Sequence, residues 1–194
     1  MAKNRYFTKN RLKMHIELNF PERQQGDLAI ETYHENGIRY QKLTRKGVNM
    51  MMNTPEIVDD FEAFLTIAEG SVLINGLGMG MCNVHLLQKE TLKDLTVIEY
   101  DKSLVDFIAP LFEQEERCTI IHADAYKWEP PAGKYYDYVW HDVWTYQRIS
   151  NLDDMETLFS KYKDIAGWQS AWRQEKCKQQ AADEVARRKL LYGE

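Results

Sequence analysis

Hydrophobic positions between residues 54 and 145 follow two alternating spacings. Apolar residues three or four positions apart indicate helices, and short unbroken apolar runs indicate strands buried on both faces. The predicted strands cover 72–74, 95–99, 118–122 and 136–141. The predicted helices cover 54–68, 81–90 and 104–112. This alternation predicts a Rossmann-like, doubly wound, mostly parallel sheet of the α/β class.

The pattern changes on both sides of this core. In residues 1–50, two β-prone runs flank Asn36-Gly37, a pair that strongly indicates a hairpin. After residue 150, the apolar residues keep helical spacing, and no strand is predicted after residue 145. We therefore expect one compact domain with three regions, namely an N-terminal β-hairpin region at 1–50, a Rossmann-like core at 51–149 and a helical C-terminal extension at 150–194.

A glycine-rich turn follows the first core strand, with the sequence Asn75-Gly76-Leu77-Gly78-Met79-Gly80. Glycine has no Cβ, so the backbone can turn tightly there, approach a ligand closely and pack against the next helix. By itself such a spacing is most often a plain tight turn. Its position between a strand and a helix makes it a candidate ligand-binding loop.

Acidic residues end the next three predicted strands. Glu99 has the spacing from the glycines that suits hydrogen bonds from the ribose of an adenosine-containing ligand, and Asp101 is an alternative for that role. Asp124 and the Ala125 N–H could recognise adenine, or Asp124 could simply cap a turn. The fourth strand ends at Asp142. Because the carboxyl ends of parallel strands share one edge, we expect these residues to form a single ligand-binding rim.

These segments resemble the class I S-adenosylmethionine-dependent methyltransferase superfamily, and within it the spermidine synthases and the guanidinoacetate-type N-methyltransferases. The resemblance covers roughly residues 50–146 and rests on 72–80, 97–101, 122–125 and 136–142. The residues that it implies for binding S-adenosylmethionine are Asn75, Gly76, Gly78, Gly80, Glu99, Asp124 and Ala125. It also implies that Asp142 is catalytic and faces the acceptor. Trp144 and Tyr146 follow the rim and are candidates for the wall of an acceptor pocket.

Two departures from the resemblance bear on the reaction. Met79 and Val143 stand where spermidine synthases carry aspartates, which disfavours aminopropyl transfer. The predicted helical C-terminus leaves out the strands that normally follow the fourth one. Our main hypothesis is methyl transfer to a small molecule or a protein side chain, with Asp142 favouring an amine or guanidine nitrogen. The alternatives are a catalytically silent methyltransferase-like assembly module and a polyamine aminopropyltransferase.

Charge restricts the expected partners. Residues 51–157 contain 7 Lys/Arg against 20 Asp/Glu, and this acidic excess makes nucleic acid an unexpected partner. The first 13 residues are basic and could contact an acidic partner, although a solubilising tail is the more common reason for such a segment. The C-terminal helix is a candidate surface for a homo-oligomer or a protein partner.

Cysteine and histidine usage indicates neither disulfides nor a metal site. The three cysteines and five histidines lack disulfide or ligand spacing, so we expect reduced thiols and no bound metal. No apolar run is typical of a signal peptide or a membrane span, and we therefore expect a cytoplasmic protein without membrane contact.

Overall fold

The computed structural model describes residues 14–193, in which an antiparallel sheet precedes a parallel sheet layered with helices. The basic segment at 1–13, proposed above as a contact for an acidic partner, lies outside the described residues. The strands are β1 Arg23–Gln25, β2 Leu28–Glu35, β3 Ile38–Arg45, β4 Val48–Met52, β5 Gly70–Asn75, β6 Leu92–Glu99, β7 Cys118–His122, β8 Tyr136–His141 and β9 Ala166–Ala171. The helices are α1 Pro55–Val58, α2 Glu62–Ile67, α3 Met81–Leu87, α4 Lys102–Ile108, α5 Asn151–Tyr162 and α6 Gln174–Tyr192. A 3₁₀ turn, Ala109–Phe112, extends α4.

The N-terminal strands form an antiparallel sheet in the order β1-β2-β3-β4. The predicted hairpin is its centre, and Asn36 and Gly37 between β2 and β3 have φ of 51° and 77°. Positive φ at both turn residues matches the twist of the flanking strands. Leu28, Ile30 and Leu43 are buried and join the main hydrophobic core, so this sheet packs against the parallel one.

The second sheet has the order β7-β6-β5-β8-β9 with all neighbouring strands parallel. All residues of the central strand β5 are buried, as expected for a strand covered on both faces. Val72 and Ile74 pack in the core that contains α2 and α3, whereas Leu73 packs in the core that contains α5. The predicted Rossmann-like, doubly wound α/β fold is therefore confirmed.

The expectation that no strand follows residue 145 is wrong. Strand β9 lies at the edge of the parallel sheet and, in the part of the chain that the structure describes, pairs only with β8. Its small and polar residues resemble a loop in the sequence, and an edge strand needs no long apolar run. Trp168 anchors it by stacking on Phe64, with ring centroids 6.3 Å apart.

The helix predicted at 54–68 is divided into α1 and α2. Between them the backbone tightens, because the Asp60 N–H donates to the Ile57 carbonyl and the Phe61 N–H donates to the Val58 carbonyl. These bonds span three residues instead of four, as in a 3₁₀ turn. The break places the Asp60 side chain in the interior, where only 2% of it is exposed.

Helix α6 leaves the body of the protein after its first turns. Cys177 is buried, but Leu190 and Tyr192 are largely exposed. The helix begins beside α5, and Gln147 and Gln180 share a hydrogen bond at this junction. Among residues 14–193, no helix combines the length and the apolar character that crossing a membrane requires.

Candidate active site

A cavity of about 1000 Å³ opens at the carboxyl ends of the parallel strands. Strands β3 and β4 of the antiparallel sheet contribute its other wall. Several residues singled out in the sequence line this one cavity, namely Gly76, Gly78, Glu99, Asp124, Ala125, Asp142, Trp144 and Tyr146. Asn75 and Gly80 are absent from the cavity wall. The structure thus brings eight of the ten predicted site residues together at one rim.

The glycines of the turn are required first by packing within the protein. A Cβ on Gly76, at φ 110°, would lie 2.0 Å from the Asp142 carbonyl oxygen. A Cβ on Gly78 would lie 2.7 Å from the methyl group of Met51, whose sulfur accepts the Met79 N–H at 3.3 Å. Gly76 and Gly78 nevertheless line the cavity, so the close packing brings bare backbone to its surface.

Gly80 has a purely internal role in the described structure. A Cβ at this position would lie 2.7 Å from the Phe112 ring, and its φ of 76° disfavours other residues. It begins α3 and lets this helix pack closely against the turn that follows α4. Gly80 was predicted to bind the cofactor, but the structure places it behind the cavity wall.

Asn75 supports the rim from behind. It is fully buried, and its amide Nδ2 donates to the His141 Nδ1 at 2.9 Å. The His141 Nε2 must then carry the proton and donates to the Gln169 Oε1 at 3.2 Å. Burial lowers the pKa of His141 to about 4, so the ring is neutral. The backbone carbonyl of Asn75 also accepts the Asp142 N–H at 2.7 Å, and Asn75 therefore fixes the end of β8.

Glu99 is held at the rim by two backbone donors. Its Oε2 accepts the Leu77 N–H at 2.9 Å, and its Oε1 accepts the Asp101 N–H at 2.8 Å. A carboxylate has about four acceptor sites, so each oxygen can accept one further hydrogen bond. Asp101 instead caps α4 through the Ser103 N–H and pairs with Arg45 at 2.5 Å. Both acids line the cavity, but both oxygens of Glu99 keep an acceptor site, whereas in Asp101 only the Oδ2 beside Arg45 does.

Asp124 and Ala125 lie on a turn that a buried tyrosine supports. The Asp124 Oδ1 accepts the Tyr126 N–H at 2.9 Å, so this residue does cap the turn while its carboxylate borders the cavity. The Tyr162 hydroxyl donates to the Ala125 carbonyl at 2.8 Å and lies 3.5 Å from the Asn75 Oδ1. Tyr162 thus ties the turn to β5, a role that its helical position in the sequence does not indicate.

Removing the Tyr162 hydroxyl should loosen the Ala125 turn without changing the shape of the core. For Tyr162→Phe we expect S-adenosylmethionine affinity to fall by about 3–10-fold, the loss of one neutral hydrogen bond. Titration calorimetry measures this change. Tyr136→Phe is the matched control, because that buried hydroxyl contacts Thr96 away from the cavity. Equal affinities for Tyr162→Phe and the wild type would contradict the role of Tyr162.

Asp142 is the titratable group at the end of β8. Burial raises its pKa to about 7, and the negative charges of Asp60 and Glu99 act in the same direction, whereas Arg173 opposes them. A carboxyl group with this pKa can accept a proton or release one near neutral pH. Asp60 was not singled out in the sequence, since it lies in a segment predicted to be an ordinary helix.

Aromatic residues follow Asp142 at the cavity mouth. The Trp144 indole N–H donates to the Asp154 Oδ2 at 3.2 Å, which fixes the orientation of the ring. Tyr146 is exposed, and the Arg148 guanidinium lies 5.9 Å from its ring centroid. Flat rings beside a carboxylate provide a surface on which a planar base can stack.

Carboxylates dominate the wall of the cavity. The acidic residues that line it are Asp27, Asp60, Glu99, Asp101, Asp124 and Asp142, and the basic ones are Arg45 and Lys46. Arg45 and Lys46 belong to the β3 end of the antiparallel sheet and the turn that follows. Of the 20 acidic residues in 51–157, five line the cavity and fifteen lie elsewhere, so the cavity accounts for only part of the acidic excess noted in the sequence.

Solved structures share this fold. A spermidine synthase from Thermotoga maritima superposes with a TM-score of 0.52 at 16% identity, over 78% of this chain and 55% of that enzyme. A dimethyladenosine transferase from Plasmodium falciparum has 23% identity and a TM-score of 0.37, over 46% of this chain and 32% of its own. The 23S rRNA methyltransferase ErmE has 19% identity and a TM-score of 0.37, over 44% and 35%. At these identities the likeness concerns the fold alone. The chain spans about half the length of the spermidine synthase.

The sequence matches a family model described as ribosomal RNA adenine dimethylase over residues 49–158. No curated protein matches the sequence significantly. The matched segment contains the glycine turn and the three acidic strand ends. The prediction of the methyltransferase superfamily is confirmed by this match, which also supports the predictions of a methyltransferase and of S-adenosylmethionine as its cofactor.

The same match corrects the predicted acceptor. The hypothesis of a small-molecule or protein acceptor is wrong, and so is the expectation that nucleic acid is an unlikely partner, because the family is one of ribosomal RNA methyltransferases. The silent module and the aminopropyltransferase fit the match no better. The physical reason for the error is that the charge summed over 51–157 leaves out Arg45 and Lys46, the two cations that line the cavity. With more than half of its residues matched, the chain belongs to the ribosomal RNA adenine dimethylase family.

Proposed function

We propose that this protein methylates the exocyclic amine of adenine in ribosomal RNA, with S-adenosylmethionine as the methyl donor. One observation carries the proposal: the Glu99, Asp124 and Asp142 carboxylates border a single cavity at the carboxyl ends of parallel strands. Ligands bind at this edge in open α/β sheets. The family match supplies the class of acceptor.

The residues at the rim fit an adenosyl cofactor. The cavity of about 1000 Å³ is at the upper end of the usual range for ligand pockets, so it has room for a cofactor and a base together. Glu99 has acceptor sites left for the two ribose hydroxyls. Asp124 and Ala125 would hold the adenine, and Gly76 and Gly78 present bare backbone at the same wall. The cofactor would supply an electrophilic methyl group.

Asp142 would orient and activate the acceptor amine. The lone pair of this amine is delocalised into the purine ring, which makes the nitrogen a weak nucleophile. A carboxylate that accepts a hydrogen bond from the amine aligns it for attack. When the nitrogen accepts the methyl group, Asp142 would take the proton that the nitrogen loses. Its pKa of about 7 suits this transfer.

The distribution of charge favours entry of a base alone. Carboxylates inside the cavity would repel a phosphate, while the aromatic rings of Trp144 and Tyr146 at the mouth can stack on a base. Arg45 and Lys46 at the rim and Arg148 beside Tyr146 are cations that can contact the sugar–phosphate chain outside. An adenine turned out of its stack would therefore meet Asp142 with its backbone held at the surface.

The proposal is tested by incubating the protein with unmethylated ribosomal RNA transcripts and methyl-labelled S-adenosylmethionine. After digestion to nucleosides, mass spectrometry should find the label in N6-methylated adenosine. Transcripts with adenine-free target regions are the matched control and should remain unlabelled. Labelling of another nucleoside, or no labelling of any ribosomal RNA by protein that binds the cofactor, would contradict the proposal.

A further inference from the structure

The outer half of helix α6 takes no part in the hydrophobic cores of the protein. Every residue from 182 to 193 is exposed, whereas Cys177 in the first turn is buried against α5. Helices in proteins are stabilised mainly by packing, so an exposed segment of this length gains little from the domain itself. Residues 182–192, the α6 arm, therefore present a surface that is available to a partner.

The first half of α6 runs past the mouth of the cavity. The Gln147 amide nitrogen donates to the Gln180 Oε1 at 3.3 Å, and Gln147 follows Tyr146, which lines the cavity. Trp172 lies just before the helix and also lines the cavity. An α-helix rises 1.5 Å per residue, so the segment from Gln180 to Tyr192 extends about 18 Å from this contact. A substrate that is larger than the cavity can therefore reach the arm.

Cations dominate one face of the α6 arm. The last two turns contain three cations and no acidic residue, in a chain whose net charge is −5. One face of the helix, with the spacing i, i+3, i+4 and i+7, carries Val185, Arg188, Lys189 and Tyr192. Arg188 pairs with Glu184 at 2.6 Å on the exposed surface, a contact that contributes little and that a phosphate can replace. This face therefore offers two cations to a negatively charged partner.

The order of apolar and charged residues on this face indicates the kind of partner. A helix that lies on a membrane, or that pairs with a second copy of itself, needs a continuous apolar stripe. Here the two cations interrupt the stripe between Val185 and Tyr192. Leu190 and Leu191 do not restore it, because they lie on other sides of the helix. Single-stranded nucleic acid is bound instead by cations beside exposed rings, and 74% of Tyr192 is exposed.

We propose that this face of the α6 arm binds the strand of ribosomal RNA that flanks the target adenine. The Arg188 and Lys189 side chains donate hydrogen bonds to phosphate oxygens, and the Tyr192 ring stacks on an unpaired base. The arm holds the RNA beside the cavity mouth and takes no part in the transfer of the methyl group. This contact rests on the proposed function, because it takes ribosomal RNA as the substrate.

The test measures binding of ribosomal RNA transcripts by fluorescence anisotropy at a series of salt concentrations. The variant Arg188→Gln/Lys189→Gln removes both cations and keeps a good helix former at each position. It should bind RNA about 10–30-fold more weakly at about 0.1 M salt. The slope of log K against log salt should become shallower by about 1.4, the value for two phosphate contacts to a single strand.

The matched control is Lys93→Gln/Lys163→Gln, which changes the net charge by the same amount. Both lysines are exposed and lie near the amino ends of β6 and β9, at the opposite end of the sheet from the cavity. RNA affinity should change less than about twofold in this control, with an unchanged slope. S-adenosylmethionine affinity should match the wild type in both variants, because none of the four side chains lines the cavity.

The outcomes separate the α6 arm from the proposed function. Wild-type affinity and slope in Arg188→Gln/Lys189→Gln would overturn the RNA contact, leave the cations to stabilise the end of the helix and leave methylation of RNA intact. An equal loss in the control would also overturn the contact, as a nonspecific effect of charge. Loss of binding to phosphatidylglycerol vesicles, or of a dimer, with unchanged RNA affinity would assign the helix to a membrane or a second copy instead. Failure of the wild type to bind RNA would overturn both proposals.

Protection of lysines from acetylation gives a second measurement that needs no variant. The wild type is acetylated with and without the RNA, and the modified lysines are identified by mass spectrometry. Lys189 should lose reactivity when RNA is bound, while Lys93 and Lys163 react equally in both conditions. Equal acetylation of Lys189 with and without RNA would overturn the contact even if the double variant does not fold.

Discussion

Asp142→Asn is expected to lower the rate of methyl transfer by about 10²–10⁴-fold, the usual contribution of a positioned base. Asparagine keeps the size of the side chain and an acceptor oxygen, but it cannot take the proton from the acceptor amine. The end of β8 should stay in place, because it is held by the backbone N–H of Asp142, which donates to the backbone carbonyl of Asn75. The substituted side chain takes no part in this bond. Single-turnover assays with labelled cofactor measure the rate, and calorimetry should show S-adenosylmethionine affinity within about threefold of the wild type.

The same residue predicts the pH dependence of the reaction. The base must be ionised, and its pKa is raised to about 7 by burial and by the charges of Asp60 and Glu99. The rate should therefore rise about tenfold per pH unit below pH 7 and level off above it. The residual rate of Asp142→Asn should lack this rise.

The effect of Asp142 on stability has the opposite direction. A carboxyl group whose folded pKa exceeds its unfolded value of 3.8 stabilises the fold at low pH, and this contribution is lost as pH rises through about 7. Asp142→Asn should consequently raise the free energy of unfolding above pH 7 and change it little near pH 4. A variant with unchanged activity, or with wild-type pH dependence, would remove Asp142 from the catalytic role.

Glu99→Gln is expected to weaken S-adenosylmethionine binding by about 10–100-fold, the range for losing hydrogen bonds to a charged acceptor. The glutamine oxygen can still accept one backbone N–H, from Leu77 or Asp101, so the turn should largely persist. Its amide nitrogen, however, is a donor and cannot accept a hydrogen bond from a ribose hydroxyl. Titration calorimetry with the cofactor measures the loss.

Asp101→Asn is the matched variant for Glu99. It changes the adjacent acid, which caps α4 and pairs with Arg45, and should alter cofactor affinity less than about threefold. A larger loss for Asp101→Asn than for Glu99→Gln would exchange the two assignments. Thermal unfolding of both variants separates weakened binding from a weakened fold.

The sequence predicted the parts of the fold that local pattern determines. The four apolar strands of the parallel sheet, the Asn36-Gly37 turn and the placement of the glycine turn depend on residues close together in the chain. Strand β9 could not be predicted in this way, because its mixture of small and polar residues is stabilised by pairing with β8 and by the stacking of Trp168 on Phe64.

In the candidate site, the residues at strand ends were predictable from the sequence, and those positioned by contacts between distant segments were not. Residues at strand ends share an edge by topology, which is why Glu99, Asp124 and Asp142 meet at one cavity. Asp60 lines that cavity and Tyr162 supports the Ala125 turn behind its wall, and contacts between distant segments position both of them, with Arg173 and with the Ala125 carbonyl. No local pattern indicates such contacts.

The acceptor was misjudged for a related reason. A net charge summed over a segment does not distinguish carboxylates that line a cavity from carboxylates on the surface. In this protein six acids line the cavity with two cations, so the cavity repels phosphate and yet suits a base with an amine. The charge of the segment was correct, but its sum omits Arg45 and Lys46, the two cations that line the cavity.

A crystal structure of the protein with S-adenosylhomocysteine tests the central claim most directly. We expect the adenosyl group in the cavity, with both ribose hydroxyls about 3 Å from the Glu99 carboxylate and the adenine amine at the same distance from Asp124. A ligand bound elsewhere, or one in the cavity whose ribose faces away from Glu99, would contradict it.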